Sequence, residues 1–460
     1  MAFIREIKKR DSIYLVKVES YREDGKVKQR VLEYIGKKED GVAVIKMDIN
    51  HLDLTNVKRY ADVRVLLQLA RELKLDQLLG KHHKAIMVMV IAHLLCRKSV
   101  LGLADWTTHT SLYEELETEP MSTQQFYEAF DHLNALDFAG VEAAIAAYWK
   151  QIAPHDSSAF VLDVTDTYYS ASKKDSSARR GKDGKVSKLV QIGLIVSFTN
   201  GFPVLHKTYE GNISNIKTFT DLLKPIAALG LESIVMDRGF YSEENVTDMD
   251  ALGMQVIVGM KQTAGIKSRF LDKIEREQIY SSENRIELKD TVVYGQELGF
   301  LSGKLIVIYN PKMEVLKRDK LLEEKVPAEN VKYVGYSLIY HNTSQEVKSV
   351  VKKYFDKDIV ERCFKSLKGE LHLHPVRLWA NKRTEAHVKI CYLSLCILSL
   401  IQFRCRAAKS LNLSAAKVLD ELQYIYKVDL VHAKSLKKYS KVVTLSNQQK
   451  EILKALKCSV

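Results

Sequence analysis

The chain has 460 residues, of which 46% are hydrophobic and 28% charged, which is the composition of an ordinary soluble protein. The length allows about two to four domains with a sizeable core. The net charge of +13 is unevenly distributed, since residues 1–150 hold 22 Lys and Arg against 22 Asp and Glu, whereas residues 351–460 hold 22 against 9. The last quarter of the chain therefore carries the whole positive excess, which suits a polyanion such as nucleic acid, with a merely soluble basic surface as the alternative.

Simple patterns disfavour several classes of protein. No charged-then-apolar leader opens the sequence, so we expect no secretory signal. The most apolar stretch, residues 390–403, is too short to span a bilayer, and we expect a buried helix and no membrane partner. The six cysteines form no CxxC pair, which predicts a reducing, cytoplasmic location. No P-loop or Rossmann glycine pattern occurs, so ATP and nicotinamide chemistry are not indicated.

The first third of the chain predicts a hairpin followed by helices. Apolar and polar residues alternate over 12–36 around the turn Asp24-Gly25, which predicts a β-hairpin in an N-terminal region, residues 1–50. From residue 56 the apolar spacing becomes helical, and Ser122 begins a capping-box pattern. We therefore predict a helical DNA-binding module over residues 51–157, although the helical pattern alone does not require that role.

The middle of the chain predicts an α/β core with an insertion. Strands are predicted at 159–165, 189–198, 202–209, 233–237 and 254–260, with helices near 217–229 and 242–252, an order typical of a mixed sheet. Short β-prone pieces between charged stretches predict a β-rich insertion. A strand at 336–340 resumes the sheet, and helices follow to the C-terminus. The predicted regions are a core of 158–265 and 335–405, the insertion 266–334, and a basic helical C-terminal region 406–460.

Three carboxylates lie at the ends of predicted elements. Asp163 lies in the strand "VLDVTD", Asp237 ends the strand "SIVMD", and Glu361 lies on an amphipathic helix. Such acids can converge and bind hard divalent cations through oxygen, and two cations about 3.5–4 Å apart can assist phosphodiester cleavage. In the alternative interpretation the aspartates cap turns and Glu361 is solvated. Asp166, three residues later, is a rival for the position of Asp163. Residues three apart on a strand point to opposite faces, so only one of the two aspartates can face a shared metal.

The surroundings of Glu361 resemble a known signature. Tyr354, Lys357, Glu361 and Lys368 keep the spacing of the YREK signature of DDE transposases from bacterial insertion sequences, with one departure, lysine where that family usually has arginine. A lysine lacks the planar fork with which arginine grips two phosphate oxygens. The alternative role of Lys357 is a local ion pair with Glu361, four residues later on one helix face.

Other segments resemble the same family in the same order. "LDVTDTYY" resembles its first-aspartate strand, with Asp163 at the metal position, and "IVMDRGFYSEENV" resembles its second-aspartate segment, with Asp237 at the metal position. "YEGNISNIKTF" is similar to its glycine–asparagine segment, here Gly211 and Asn212. The resemblance extends from about residue 158 to residue 405.

The resemblance implies an RNase H-like catalytic core, a mixed sheet flanked by helices, with a β-rich insertion before the glutamate. The separation of 124 positions from Asp237 to Glu361 agrees with such an insertion. It also implies two divalent cations, Mg2+ with Mn2+ as the alternative. The residues expected to bind them, and to carry catalysis, are Asp163, Asp237 and Glu361.

The resemblance further implies a DNA partner and a reaction. Tyr354, Lys357 and Lys368 would contact phosphates near the transposon end, and a homodimer would form on paired ends. The enzyme would cleave DNA at the transposon ends and transfer strands into target DNA, associated with the bacterial nucleoid. The alternatives are a transposase-derived DNA-binding protein without catalysis and a metal-dependent nuclease of the RNase H-like superfamily.

Overall fold

The structure of the chain is a computed structural model. It describes residues 2–10, 12–23, 25–39, 42–44, 51–96, 98–156, 158–168, 179–180, 186–187, 189–210, 213–324, 331–369, 371, 373, 383–408, 411–433 and 435–460. The predictions for Gly211 and Asn212 fall outside these residues. The chain divides into two compact units, one of residues 1–58 and 426–443 and one of residues 59–425 and 444–460.

The secondary-structure elements occur in the predicted order along the chain, with strands first, helices next and a mixed α/β region after them. The strands are β1 Ala2–Lys9, β2 Ser12–Glu23, β3 Lys26–Glu39, β4 Val42–Val44, β5 Leu52–Arg59, β6 Ala159–Tyr168, β7 Arg179–Arg180, β8 Val186–Ser187, β9 Leu189–Ser197, β10 Pro203–Glu210, β11 Ser233–Met236, β12 Gln255–Met260, β13 Arg285–Glu287, β14 Val292–Phe300, β15 Gly303–Tyr309, β16 Tyr336–His341, β17 Tyr426–His432 and β18 Lys438–Val442. The helices are α1 Ala61–Glu72, α2 Leu75–Leu78, α3 His83–Leu95, α4 Leu103–Thr108, α5 Leu112–Glu115, α6 Thr123–Ala135, α7 Ala139–Ile152, α8 Asn215–Ala228, α9 Glu243–Ala251, α10 Ala264–Arg269, α11 Arg276–Ile279, α12 Pro311–Glu323, α13 Val347–Phe355, α14 Ile359–Lys368, α15 Thr384–Ala407, α16 Ala415–Leu422 and α17 Asn447–Ala455.

The smaller unit consists of two antiparallel arrangements of strands. Strands β1 to β4 form a sheet in chain order, and β2 and β3 pair as the predicted hairpin, with Glu23 opposite Lys26. Gly25 in the turn has a φ of 76°, a conformation that a side chain would disfavour. The second sheet has the order β18-β17-β5, so residues 426–442 pair with a strand from the start of the chain.

The prediction of a helical C-terminal region is therefore wrong in part. Residues 406–460 contain helices α16 and α17, but strands β17 and β18 lie between them. The segment "YKVDLVH" is rich in residues that favour strands, and its partner β5 is more than 350 residues away in the chain. Strand β5 itself lies within residues 51–157, where helices were predicted. Local patterns did not reveal this long-range pairing.

The larger unit is organised around a mixed sheet of nine strands. Its order is β10-β9-β6-β11-β12-β16-β15-β14-β13. Strands β6, β11 and β12 run parallel to one another, whereas β9, β10 and β16 are antiparallel to their neighbours. The three strands of the predicted insertion, β13 to β15, extend this sheet by pairing β15 with β16. The residues of the predicted insertion thus contribute strands that continue the sheet, and they also contain helices α11 and α12.

Helix α15 is the longest helix among the described residues and contains a long apolar stretch. It has 24 residues with a mean hydropathy of 1.6 over its most apolar window, so its length and composition would allow it to cross a membrane. That window is 78% buried within the chain, and the helix packs against α3, α6 and β10. Its one deeply buried lysine, Lys389, donates hydrogen bonds to the carbonyl oxygens of Leu133 and Leu136. These contacts are those of a core helix.

Candidate active site

Asp163 lies near the middle of the central strand β6. Its neighbours Leu162 and Val164 are buried, whereas the Asp163 side chain is partly exposed, and its Oδ1 accepts a hydrogen bond from the Val164 amide at 2.7 Å. The carboxylate lines a cleft of about 450 Å3 together with Thr165, on the same strand face, and with Glu361. Asp163 thus lies on a strand whose neighbouring residues are buried, and its carboxylate faces a cleft.

Asp166 has a different environment on the opposite face of β6. Its side chain is buried, and its Oδ1 accepts a hydrogen bond from Nε2 of Gln191 at 3.2 Å. The Gln191 Oε1 in turn accepts one from the Ile213 amide at 2.6 Å. Asp166 therefore belongs to a buried polar network that joins β6 to β9 and to the residues before α8. This is the surrounding of a structural carboxylate.

Asp237 follows β11 at the level of Asp163. The parallel register of β11 and β6 places Met236 opposite Leu162, so the next residue of each strand is an aspartate. A turn of 3-10 helix, Arg238–Phe240, begins immediately after Asp237. Neighbouring parallel strands lie about 4.8 Å apart. The two aspartates therefore follow residues that are close neighbours in the sheet.

Asp237 has two polar neighbours from the chain before α14. The Tyr354 hydroxyl donates a hydrogen bond to Asp237 Oδ1 at 3.3 Å, and Lys357 Nζ lies 3.8 Å from the same oxygen. The Lys357 ammonium also lies 4.1 Å from the centroid of the Tyr354 ring. Burial, and then the negative charge of Asp237, raise the pKa of Tyr354, so the phenol remains a hydrogen-bond donor at neutral pH.

A glycine makes room for Tyr354. A Cβ atom at Gly259 on β12 would clash with the Tyr354 hydroxyl oxygen, so no larger residue fits without displacing the ring. Tyr354, Lys357 and Asp237 line a second cleft, of about 580 Å3. Three further basic residues, each from a different segment, line this cleft: Arg238, Lys261 and Lys317.

Sequence reasoning missed these basic residues. Lys261 follows β12 and Lys317 lies on α12 within the insertion, so no local motif connects either of them to the aspartates. Only Arg238 could have been predicted from the sequence, because it directly follows Asp237. The close approach that requires Gly259 was also invisible, because its partner lies 95 residues later in the chain.

Glu361 lies in the first turn of α14, on the exposed side of the helix. The predicted apolar face is found, with Ile359, Val360, Cys363, Phe364 and Leu367 buried. The helix packs against β6, which brings Glu361 and Lys368 to the cleft that Asp163 lines.

Lys357 does not share a helix with Glu361. Helix α13 ends at Phe355 and α14 begins at Ile359, so Lys357 lies in the turn between them. The alternative role of Lys357, a helical ion pair with Glu361, is therefore wrong, and Lys357 pairs with Asp237 instead. The short sequence "DKD" between two amphipathic stretches breaks the helix that the sequence had suggested.

The predicted site residues are thus brought together in two groups. Asp163, Glu361 and Lys368 line one cleft, and Asp237, Tyr354 and Lys357 line the other, while Asp163 and Asp237 directly follow the paired residues Leu162 and Met236 of β6 and β11. Carboxylate oxygens are the donors that Mg2+ prefers, so the donor chemistry fits a divalent cation. Within the described residues, however, no group of three or more His, Cys, Asp or Glu side chains is close enough to hold a metal ion.

Comparison with known families identifies the chain. The model of the transposase DDE domain matches residues 154–397, which is more than half of the chain and includes all three acids. The chain belongs to the DDE transposase family. The model of the N-terminal domain of the IS1634 family of transposases matches residues 4–57, most of the N-terminal part of the smaller unit.

Comparisons with individual proteins add less. No curated protein matches this transposase. Among solved structures, the cryo-EM structure of a piggyBac transposase synaptic complex with hairpin DNA is similar over 79% of this chain and 76% of that chain, at 10% identity and a TM-score of 0.41. The family assignment therefore depends on the matched family models.

Family membership confirms the prediction of a transposase of an insertion sequence. Such a protein is an enzyme that cleaves DNA and transfers strands, and the family uses divalent metal ions. The mixed sheet flanked by helices fits an RNase H-like core. These assignments favour the transposase over both predicted alternatives, the non-catalytic DNA-binding protein and the nuclease without strand transfer.

Proposed function

We propose that Asp163, Asp237 and Glu361 are the catalytic acids with which this transposase cleaves DNA at the ends of its insertion sequence. The observation that carries the proposal is the register of β6 and β11, in which Leu162 pairs with Met236 and an aspartate follows each of them, Asp163 and Asp237. Asp163 also shares its cleft with Glu361, so it connects the other two acids. The contacts of Asp166 with Gln191 support Asp163 as the first acid.

The three carboxylates would hold two Mg2+ ions, with Mn2+ as a substitute. Bound there, the cations would neutralise charge on the scissile phosphate and lower the pKa of a water molecule. Asp163 and Asp237 would supply ligands from rigid strands, and Glu361 a ligand from the first turn of α14.

Tyr354, Lys357 and Lys368 would contact phosphates beside the acids. Tyr354 remains protonated and can donate a hydrogen bond to a phosphate oxygen, as it does to Asp237. Lys357 is already close to Asp237 and would exchange that carboxylate for a phosphate when DNA enters. Lys368 lies in the cleft with Asp163 and Glu361, where a phosphate between the acids and the helix would be within its reach.

In the proposed reaction, water attacks the phosphorus at the transposon end in line with the leaving 3′-oxygen. The phosphorus–oxygen bond breaks, and the oxygen takes up a proton to give a 3′-hydroxyl. That hydroxyl then attacks a phosphorus of target DNA in the same way and displaces a 3′-oxygen there. No covalent enzyme intermediate is required. We propose that two protomers act together on paired ends, one for each end.

The test uses duplexes that contain the element's ends, with cleavage and strand-transfer products scored separately. Alanine at Asp163, Asp237 or Glu361 should abolish cleavage and leave end binding largely intact, because phosphate contacts carry most of the affinity. Asp166→Ala is the comparison variant, and we expect it to cleave DNA but to melt at a lower temperature, because it removes the buried hydrogen bond between Gln191 Nε2 and Asp166 Oδ1. If Asp163→Ala cleaved at the wild-type rate while Asp166→Ala did not, the first acid would be Asp166.

A further inference from the structure

Helix α14 separates two clefts. Its face with Glu361, Lys365 and Lys368 borders the cleft of Asp163, whereas Arg362 and Ser366 border a smaller cleft of about 140 Å3. The far wall of the smaller cleft consists of the C-terminal half of α15 and the start of α16. We call it the arginine cleft, and its polar side chains are Asn200, Arg362, Ser366, Ser399, Gln402, Arg406 and Ser414.

The arginine cleft has an uncompensated positive charge. None of the described residues that line it is acidic. Arg362 and Arg406 are both exposed, and within the described part of the chain neither guanidinium takes part in a hydrogen bond or an ion pair. Two guanidinium groups that face one cleft repel each other, and an anion between them would remove that cost.

The charges of Arg362 and Arg406 both act on the buried thiol of Cys363. Burial raises the pKa of the Cys363 thiol to about 12, and Arg362 and Arg406 are the two charged groups that oppose this rise. Cys363 lines the arginine cleft and its Sγ donates a hydrogen bond to the Gly201 carbonyl oxygen at 3.2 Å. The two arginines, which lie 44 residues apart in the sequence, therefore direct positive potential to one place.

The rest of the lining suits an anion. Ser366 and Ser399 provide hydroxyl donors, and α16 begins at the cleft with Ser414 as its capping residue. The start of a helix carries a partial positive charge. At about 30 Å3 for each water molecule, the volume of the cleft corresponds to roughly four or five waters, enough for a phosphate group in their place.

We propose that the arginine cleft binds a phosphate of the DNA backbone, on the side of α14 opposite to the catalytic acids. Arginine binds phosphate oxygens in pairs, which suits a cleft with two guanidinium groups and no carboxylate. DNA held there is a segment other than the one cleaved beside Asp163, so the glutamate helix lies between two DNA contacts. The proposal depends on the family assignment alone and not on which acids are catalytic.

The experiment measures how the affinity of the full-length protein for a fluorescently labelled duplex depends on salt. Each phosphate neutralised contributes about 0.9 to the slope of log affinity against log salt, so Arg362→Ala/Arg406→Ala, which removes the contact with one phosphate, should lower that slope by about 0.9. The matched control is Lys150→Ala/Lys224→Ala, which removes the same net charge from two exposed lysines elsewhere in the larger unit. A third variant, Arg362→Lys/Arg406→Lys, keeps the charge and should retain most of the slope while binding more weakly.

Equal slopes for the arginine-to-alanine variant and its lysine control would overturn the proposal. The same holds if the melting temperature falls while the slope stays at its wild-type value, since the arginines would then have only a structural role. The acid variants provide a separate outcome: loss of cleavage at Asp163 with an unchanged slope for the arginine variant would keep the catalytic proposal and reject this one.

Discussion

At the scale of single residues, the chain shows why a motif is weaker evidence than the contacts of its members. The YREK-like spacing identified Tyr354, Lys357, Glu361 and Lys368, and all four line the two clefts beside the aspartates. The same spacing could not give the partner of Lys357, because that depends on the break between α13 and α14. The choice between Asp163 and Asp166 likewise became arguable only when Gln191 was found beside Asp166.

Lys357 gives the first prediction at this scale. Its ion pair with Asp237 is partly exposed, with 26% of the lysine and 49% of the aspartate side chain accessible, so the pair should stabilise the fold by less than about 1 kcal/mol. If Lys357 contacts a phosphate, Lys357→Ala should lower the affinity for transposon ends and slow cleavage with little change in melting temperature. Lys357→Arg should be active, since a guanidinium keeps the charge and can grip two oxygens.

The control for Lys357 is Lys348→Ala, an exposed lysine on the neighbouring helix α13. Affinity by fluorescence anisotropy and melting temperature by calorimetry decide between the roles. Unchanged end affinity for Lys357→Ala, together with a small loss of stability, would remove Lys357 from the DNA site and leave it as a structural partner of Asp237.

At the scale of elements, the periodicity of apolar residues predicted the features that depend on a single segment of the chain. The hairpin of β2 and β3, the apolar face of α14 and most strands of the mixed sheet follow from spacing within a single segment. The pairing of β15 with β16, which makes the insertion part of the main sheet, joins segments that no pattern connects. An edge strand has unpaired backbone groups to satisfy, so the insertion's strands complete the sheet at that edge.

The packing of α13 on β12 gives the prediction at this scale. Gly259→Ala would place a Cβ atom on the Tyr354 hydroxyl, so the ring must move away from Asp237, and overpacking of this kind typically costs about 1–3 kcal/mol. We expect a lower melting temperature and weaker cleavage. Gly265→Ala on α10 is the control, since nothing lies within 4 Å of a Cβ atom there, and alanine favours a helix.

A second substitution separates the clash from other effects of the alanine. Tyr354→Phe removes the hydroxyl, whose oxygen is the nearest atom to the added Cβ. Gly259→Ala/Tyr354→Phe should therefore recover part of the melting temperature that Gly259→Ala loses. No recovery in the double variant would mean that the remaining contacts of the Cβ atom decide the cost, which are those with the ring carbon Cζ of residue 354 at 2.9 Å and with Arg238 Cβ at 3.2 Å.

At the scale of the whole molecule, the distribution of charge was read correctly from the sequence, but the fold of the basic region was not. Strands β17 and β18 belong to the same compact unit as residues 1–58, whereas α16 and α17 belong to the larger unit. The basic region is therefore divided between two units. Removing all residues after 405 would take away a strand partner of β5 along with the charge, so truncation cannot isolate the electrostatic effect.

Point substitutions can test whether the basic C-terminal region dominates salt-dependent DNA binding. Four exposed lysines, two on β18 and two on α17, form no ion pair within the described residues: Lys438, Lys441, Lys450 and Lys454. Replacing all four with glutamine should lower the salt slope by up to about 3.6, at about 0.9 for each phosphate neutralised on duplex DNA.

The matched control replaces four exposed lysines elsewhere, with the same change in net charge: Lys150, Lys224, Lys312 and Lys348. Since long-range attraction depends on net charge, it falls equally in both variants, and only direct phosphate contacts can make the slopes differ. If the two slopes coincide, the C-terminal lysines face solvent in the complex, and the excess charge of the last quarter has no specific part in DNA binding.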